Sequence, residues 1–217
     1  YLDTGIWSKK AISEAQRCEQ AGLGKINVVA SGKALNYTDV PDAATWQLSD
    51  DADYFHYCPN ETIGGLAIFD VHKIQVPIVA DMSSCILSRP IDVSKFGLIY
   101  AGAQKNIGPA GLTLVIVRED LMGKAHPMCP SILDYKNQAD NDSMLNTPST
   151  YAWYLSGLVF EWLLEQGGVE AIYQQNLAKA SALYDFIDSS DFYHNPITKA
   201  HRSLMNVPFT LADTNLE

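Results

Sequence analysis

Lys105 and Asp81 are the residues of this 217-residue sequence whose types and placement could do chemistry. Lys105 follows an apolar run, Leu98-Ile99-Tyr100-Ala101-Gly102-Ala103, and sits in the glycine-punctuated loop Gln104-Lys105-Asn106-Ile107-Gly108-Pro109-Ala110-Gly111. Asp81 stands 24 positions earlier, at the end of a second apolar run, Val76-Pro77-Ile78-Val79-Ala80, with Ser83 and Ser84 just beyond it. In an open α/β sheet, residues at the carboxyl ends of adjacent strands face one crevice. A primary amine that can form a Schiff base, and a carboxylate that can hold a protonated ring nitrogen, are the two groups that pyridoxal 5'-phosphate (PLP) needs from a protein.

Taken singly, each residue has a plainer reading. Most lysines are solvated or snorkel at element ends, and Asp-Met-Ser-Ser is a good capping sequence. The pairing gives each a task. Gly102, Gly108 and Gly111 permit close backbone approach, and Gln104 offers an amide to a phosphate or hydroxyl. Such a crevice is expected to bury the lysine and favour its neutral amine.

The elements that must position these groups follow from periodicity. Residues 6–20 carry Ile6, Trp7, Ala11, Ile12 and Ala15 at helical spacing, stopped by Gly22 and Gly24. Residues 26–30 read as a short strand buried between helices, and residues 53–58 as another that empties into the loop 59–65. Residues 111–117 are the clearest strand; they lie close enough to the lysine loop to predict an antiparallel neighbour, hence a mixed sheet. Residues 135–150 read as a polar loop. A helix is predicted over 150–165, ended by Gly167-Gly168, and a second over 169–189 as a connector to a smaller domain; residues 205–209 look strand-like. The expected fold is α/β, with a large domain over 1–165 and the start of a small domain over 166–217.

Composition narrows the function classes. A 47% hydrophobic, 18% charged chain has a sizeable core, and a formal charge of −10 argues against nucleic-acid and anionic-membrane partners. There is no run of 18 apolar residues and no visible signal peptide. Cys18, Cys58, Cys85 and Cys129 are scattered without metal or CxxC spacing, which fits a reducing cytoplasm. His56, His72, His126, His194 and His201 show no metal-ligand pairing, and neither GxGxxG nor a P-loop is present. The lack of an initiating Met and the close at Asn215-Leu216-Glu217 read as a piece of a longer chain.

Several strings carry a resemblance: His56-Tyr57-Cys58-Pro59-Asn60-Glu61-Thr62-Ile63, Leu87-Ser88-Arg89-Pro90-Ile91-Asp92, the lysine loop, Cys129-Pro130-Ser131-Ile132-Leu133-Asp134-Tyr135, Asn146-Thr147-Pro148 and Trp153-Tyr154-Leu155-Ser156-Gly157-Leu158. With Met205-Asn206-Val207-Pro208-Phe209, they resemble the phosphoserine aminotransferases over essentially the whole sequence. The resemblance implies a fold-type I, class V, PLP-dependent transferase whose sheet is mainly parallel, mixed and of the seven-stranded type. It implies a homodimer that moves an amino group between glutamate and 3-phosphohydroxypyruvate in serine biosynthesis, with 4-phosphohydroxythreonine as a further substrate in pyridoxine biosynthesis. By motif, Lys105 would be the Schiff-base lysine and Asp81 the partner of the pyridinium nitrogen. Gln104 and Thr62 would contact the cofactor, Trp7 would stack on its ring, and Asn146 and Thr147 would hold the phosphate of the cofactor in the partner subunit.

The family's arginines for substrate and its glycine-rich phosphate turn are not in this sequence, and Arg202 is no substitute for them. The competing readings are another class V enzyme, including a cysteine-desulfurase-like one, and a core that folds and dimerises without turnover.

Overall fold

A computed structural model describes residues 1–71 and 74–216; His72 lies outside the described residues. The chain runs β1 (Leu2–Asp3), α1 (Ile6–Gln20), β2 (Ala30–Ser31), β3 (Phe55–Tyr57), β4 (Asn60–Glu61), β5 (Leu66–Ala67), β6 (Ile78–Asp81), β7 (Leu98–Gly102) and β8 (Thr113–Val117). It continues through α2 (Tyr135–Asp140), α3 (Thr150–Glu165), α4 (Gly168–Asp188), β9 (Tyr193–His194) and β10 (Thr210–Leu211). β3, β6 and β7 pair in parallel and β8 joins β7 antiparallel, so the four-stranded sheet is mixed as predicted.

The sheet works as a positioning device because its side chains alternate. Along β7, Ile99 and Ala101 are buried, and they join Leu2, Phe55, Ala80 and Ile107 in the core. The parallel register places Asp81 opposite Tyr100, so the carboxylate lies at the strand end from which the lysine loop departs. That loop is drawn back to β8 by the Ala103 amide, which donates to the Leu112 carbonyl at 3.0 Å.

The helices pack along faces visible in their spacing. α1 buries Ser8, Ile12 and Ala15, and α4 buries Ile172, Asn176, Ala180, Tyr184 and Ile187, close to a four-residue repeat. α3 and α4 part at Gly167, whose φ of 95° is the left-handed conformation that ends a helix. Asn176 Nδ2 donates to the Ser88 carbonyl at 2.9 Å, docking α4 beside the turn that follows Asp81. No helix among the described residues is long and apolar enough to cross a membrane.

Three local expectations need correction. Residues 26–29 are not a strand buried between helices: only Ala30–Ser31 pairs with β1, and Val28 is exposed while Val29 is buried. The supposed loop 135–150 contains α2, started by Asp134, which accepts from the Lys136 amide at 2.9 Å, and braced by Lys136 Nζ to Asp140 Oδ1 at 2.7 Å. Residues 205–209 form no strand; Pro208 has no amide to give a ladder, and β10 begins only at Thr210.

Candidate active site

The Lys105 side chain emerges where a turn closes beneath it. The amides of Ile107 and Gly108 donate to the Ala103 carbonyl at 3.1 and 2.8 Å, Ala103 and Ile107 face the core, and Lys105 is left pointing outward. The expectation of a buried lysine therefore fails: the residue is exposed. Its amine is nevertheless placed. Nζ donates to Thr62 Oγ1 at 2.7 Å and sits 5.1 Å from the centroid of the Trp7 ring, within cation–π range.

Two glycines shape the loop. A Cβ on Gly102 would come within 2.5 Å of Gln104 Oε1, so the missing side chain lets the Gln104 amide fold back over the strand end. A Cβ on Gly108 would meet Ser156 Oγ at 2.6 Å, so α3 packs directly on the backbone beyond the lysine.

Asp81 is half-buried at the end of β6. Its Oδ1 accepts from the amide and hydroxyl of Ser83 at 3.0 and 2.6 Å, and the Ser83 hydroxyl in turn accepts from the Gly102 amide at 3.0 Å. The capping bonds also fix the carboxylate in space: Ser83 ties it to the strand that feeds the lysine loop. Behind this pair, His56 Nε2 lies 2.9 Å from the Tyr100 hydroxyl. Burial depresses the His56 pKa to about 4, so the imidazole is neutral at physiological pH despite the opposing charge of Asp81. Burial also pushes the Tyr100 hydroxyl up, helped by the Asp81 charge.

The residue that sequence reasoning missed is Glu61. It is 1% exposed, yet it is a carboxylate. Oε2 accepts from the Trp7 amide and Oε1 from the Ser8 amide, both at 2.9 Å, so Glu61 caps the amino terminus of α1 from another part of the chain. Ser8 Oγ completes the cap by accepting from the amides of Thr4 and Gly5 at 2.8 and 2.9 Å. A helix start occupied by a carboxylate is closed to a ligand phosphate. Gly5 leaves room for this carboxylate: a Cβ there would lie 2.6 Å from Glu61 Cδ.

The structure thus brings together Lys105, Thr62 and Trp7, with Gln104 and Asp81 at the adjoining strand ends. Asn146 and Thr147 are exposed in the segment before α3, and the Lys105 amine bonds to Thr62 instead. Burial pushes the Cys85 thiol up to about 12 and the Cys58 thiol well above its ordinary range, so neither is a ready thiolate for desulfurase-type chemistry. Arg202, bidentate with Asp188 at 2.8 and 2.9 Å, is committed elsewhere. The donor set fits PLP: an amine for the aldehyde, an indole face for the ring, a carboxylate for the ring nitrogen, and a hydroxyl and an amide for polar substituents.

The description Aminotransferase class-V matches residues 1–216. The chain is 62% identical to the phosphoserine aminotransferase of Acinetobacter baylyi, covering all of this chain and 59% of that protein. Its fold matches the phosphoserine aminotransferase of Bacillus circulans subsp. alkalophilus with a TM-score of 0.94 at 44% identity, over 100% of this chain and 59% of that one. It also matches PLP-bound phosphoserine aminotransferase from Trichomonas vaginalis, with a TM-score of 0.93 at 44% identity over 98% and 59% of the two chains. The chain belongs to the class V aminotransferase family. It spans 59% of the length of the phosphoserine aminotransferases it resembles.

Proposed function

We propose that the protein containing this chain is a PLP-dependent phosphoserine transaminase, moving the amino group between L-glutamate and 3-phosphohydroxypyruvate, with 4-phosphohydroxythreonine as a further substrate. The observation that carries this reading is the Lys105 amine, held 2.7 Å from the Thr62 hydroxyl and over the Trp7 ring, beside the Asp81 strand end. The 62% identity to a phosphoserine aminotransferase favours that substrate pair over those of other class V enzymes.

When bound, PLP supplies an electron sink for charge developing at the substrate α-carbon. Lys105 Nζ would be the amine that holds the cofactor aldehyde and the base placed for the substrate α-proton. Thr62 orients Nζ from one side and Trp7 from another. Asp81 would pair with the protonated ring nitrogen, and Ser83 holds Asp81. Gln104 would contact the cofactor from the strand end.

Asn146 and Thr147 serve the second subunit of a homodimer. Their exposure fits that role, and α3 presents Tyr151, Tyr154, Trp162 and Leu164 at its surface as a face for the second copy. We place the domain boundary near residues 165–166, where α3 passes into α4, and the protein in the cytoplasm, in keeping with four free cysteines.

A second reading concerns residues 1–217 alone: a core that folds without turnover. It is favoured by the exposure of Lys105 and by the commitment of Arg89, Arg118 and Arg202 to the Phe69 carbonyl, Asp120 and Asp188.

The test is the visible absorbance of the full-length protein with PLP, before and after glutamate, against Lys105→Ala. A Lys105-dependent band that glutamate shifts is expected. Equal spectra and normal turnover in the variant would remove Lys105 from the mechanism.

A further inference from the structure

We propose that Glu61 is a positioning residue that sets the distance between the two neighbours of the Lys105 amine, a role that rests on the reading of Lys105, Thr62 and Trp7 as the cofactor site. The covalent chain links Glu61 to Thr62, whose hydroxyl accepts from Nζ at 2.7 Å. The Glu61 carboxylate links the same residue to Trp7, whose amide it accepts at 2.9 Å and whose ring stands 5.1 Å from that Nζ. One residue therefore fixes both sides of the lysine.

The geometry is over-determined. The backbone of Glu61 is pinned from one end by the Gly65 amide, which donates to its carbonyl at 2.7 Å, and by pairing with Leu66. Its carboxylate is pinned at the other end by the Trp7 and Ser8 amides, with Thr4 Oγ1 at 3.5 Å. No salt bridge to Glu61 is formed among the described residues; the helix start meets the carboxylate directly, and Lys9 acts on it only through space. A buried charge satisfied in this way cannot shift without taking the first turn of α1, and hence Trp7, with it. Gly5 leaves the space in which the carboxylate sits; Cα–Cβ substitution there would strike Glu61 Cδ, Oε2 and Cγ at 2.6, 2.7 and 2.8 Å.

The experiment uses the full-length apo-protein titrated with PLP, following the tryptophan fluorescence and the circular dichroism of the bound cofactor alongside thermal unfolding. Glu61→Gln keeps one accepting oxygen and turns an amide towards a backbone N–H. It should weaken PLP binding roughly tenfold, the equivalent of one hydrogen bond to a charged group. It should also reduce the Trp7 share of the quench, read by difference from Trp7→Phe. In the Trp7→Phe background the same substitution should have a smaller effect, about threefold, because the share carried through Trp7 is already lost and the share through Thr62 remains. If Glu61→Gln fails to fold, Glu61→Asp and Gly5→Ala displace the same carboxylate and carry the measurement.

A loss of melting temperature with unchanged PLP affinity and dichroism, or an undiminished effect in the Trp7→Phe background, would overturn the positioning role. The site reading itself is tested separately: Lys105→Ala, Trp7→Phe and Thr62→Ala all binding PLP with the parent affinity and spectrum would remove the site, whatever Glu61 does.

Discussion

Residues 60–65 and residues 103–108 meet across the Lys105 amine, and they are held in different ways. In the first loop Asn60 and Glu61 are buried; Asn60 Nδ2 donates to Ser84 Oγ and Asn206 Oδ1, both at 2.8 Å, and the Gly65 carbonyl accepts from the Ser203 amide at 2.9 Å. The second loop closes largely on itself through the Ala103 carbonyl, and Gln104 and Lys105 lie on its exposed side. Ordering a long side chain costs conformational entropy, so an exposed lysine on a self-closed turn keeps freedom that a side chain pinned by distant segments does not. The first loop is held from outside itself and the second from within.

The strongest way to break this contrast is Gly65→Ala. Gly65 has a φ of +70°, and a Cβ there would meet the Asn206 carbonyl oxygen at 2.9 Å and run into the Pro208 ring. Left-handed strain and overpacking together predict a loss of about 4 kcal/mol in denaturant unfolding of the full-length protein. A loss below about 1 kcal/mol would mean that the first loop is not fixed by the distant segment.

Next comes the strand that feeds the fixed loop. His56 has its folded-state pKa lowered to about 4 from 6.5, so the unfolded chain takes up a proton that the folded one refuses. Its contribution is full above pH 6.5 and is lost as pH falls towards 4, a change of about 3 kcal/mol over that window. His56→Gln should flatten this part of the stability profile; an identical profile would show that His56 does not set it.

Gly108→Ala is the matching substitution in the freer loop. The obstructing atom is Ser156 Oγ, and φ is not in the left-handed region, so a cost of about 1–2 kcal/mol is expected. Equality with Gly65→Ala would erase the difference between the loops. Asp188→Asn, away from both, should have the smallest effect. Arg202 and then Lys199 hold the Asp188 carboxyl below the usual carboxylate range. The pair is partly exposed and screened, so its loss should cost about 0.5–1 kcal/mol, less in high salt. Its contribution is present above the unfolded-state pKa and fades as pH falls through the folded one.

What could be read from the sequence follows the range of the physics involved. α1, α3 and α4 were legible because helical periodicity and terminal glycines are local, and the Gly167-Gly168 stop fell where expected. Lys105 and Asp81 were legible because each is a chemical group at the end of an apolar run, and parallel pairing does the rest. Trp7 and Thr62 came only through resemblance: nothing local says that residues 43 positions apart at Thr62 and Lys105 share a hydrogen bond. Glu61 was invisible because a glutamate in a loop reads as solvated. Its burial is created by the start of α1, more than 50 positions away. Lys105 was wrongly expected to be buried because strand-end position says where a side chain begins, not which way a turn sends it.

The Asn60–Asn206 bond spans 146 positions, and the Ser203 amide and Pro208 ring reach the same loop from equally late in the chain. During synthesis, the lysine and its strands leave the ribosome long before the residues that clamp Thr62 in place. Closing so long a loop costs only slightly more entropy than closing a short one, but non-local closure is slow. The loop around Thr62 is tied at Asn60 and Gly65 by residues that follow Lys105 in synthesis, so its fixing belongs to the non-local, slower closures.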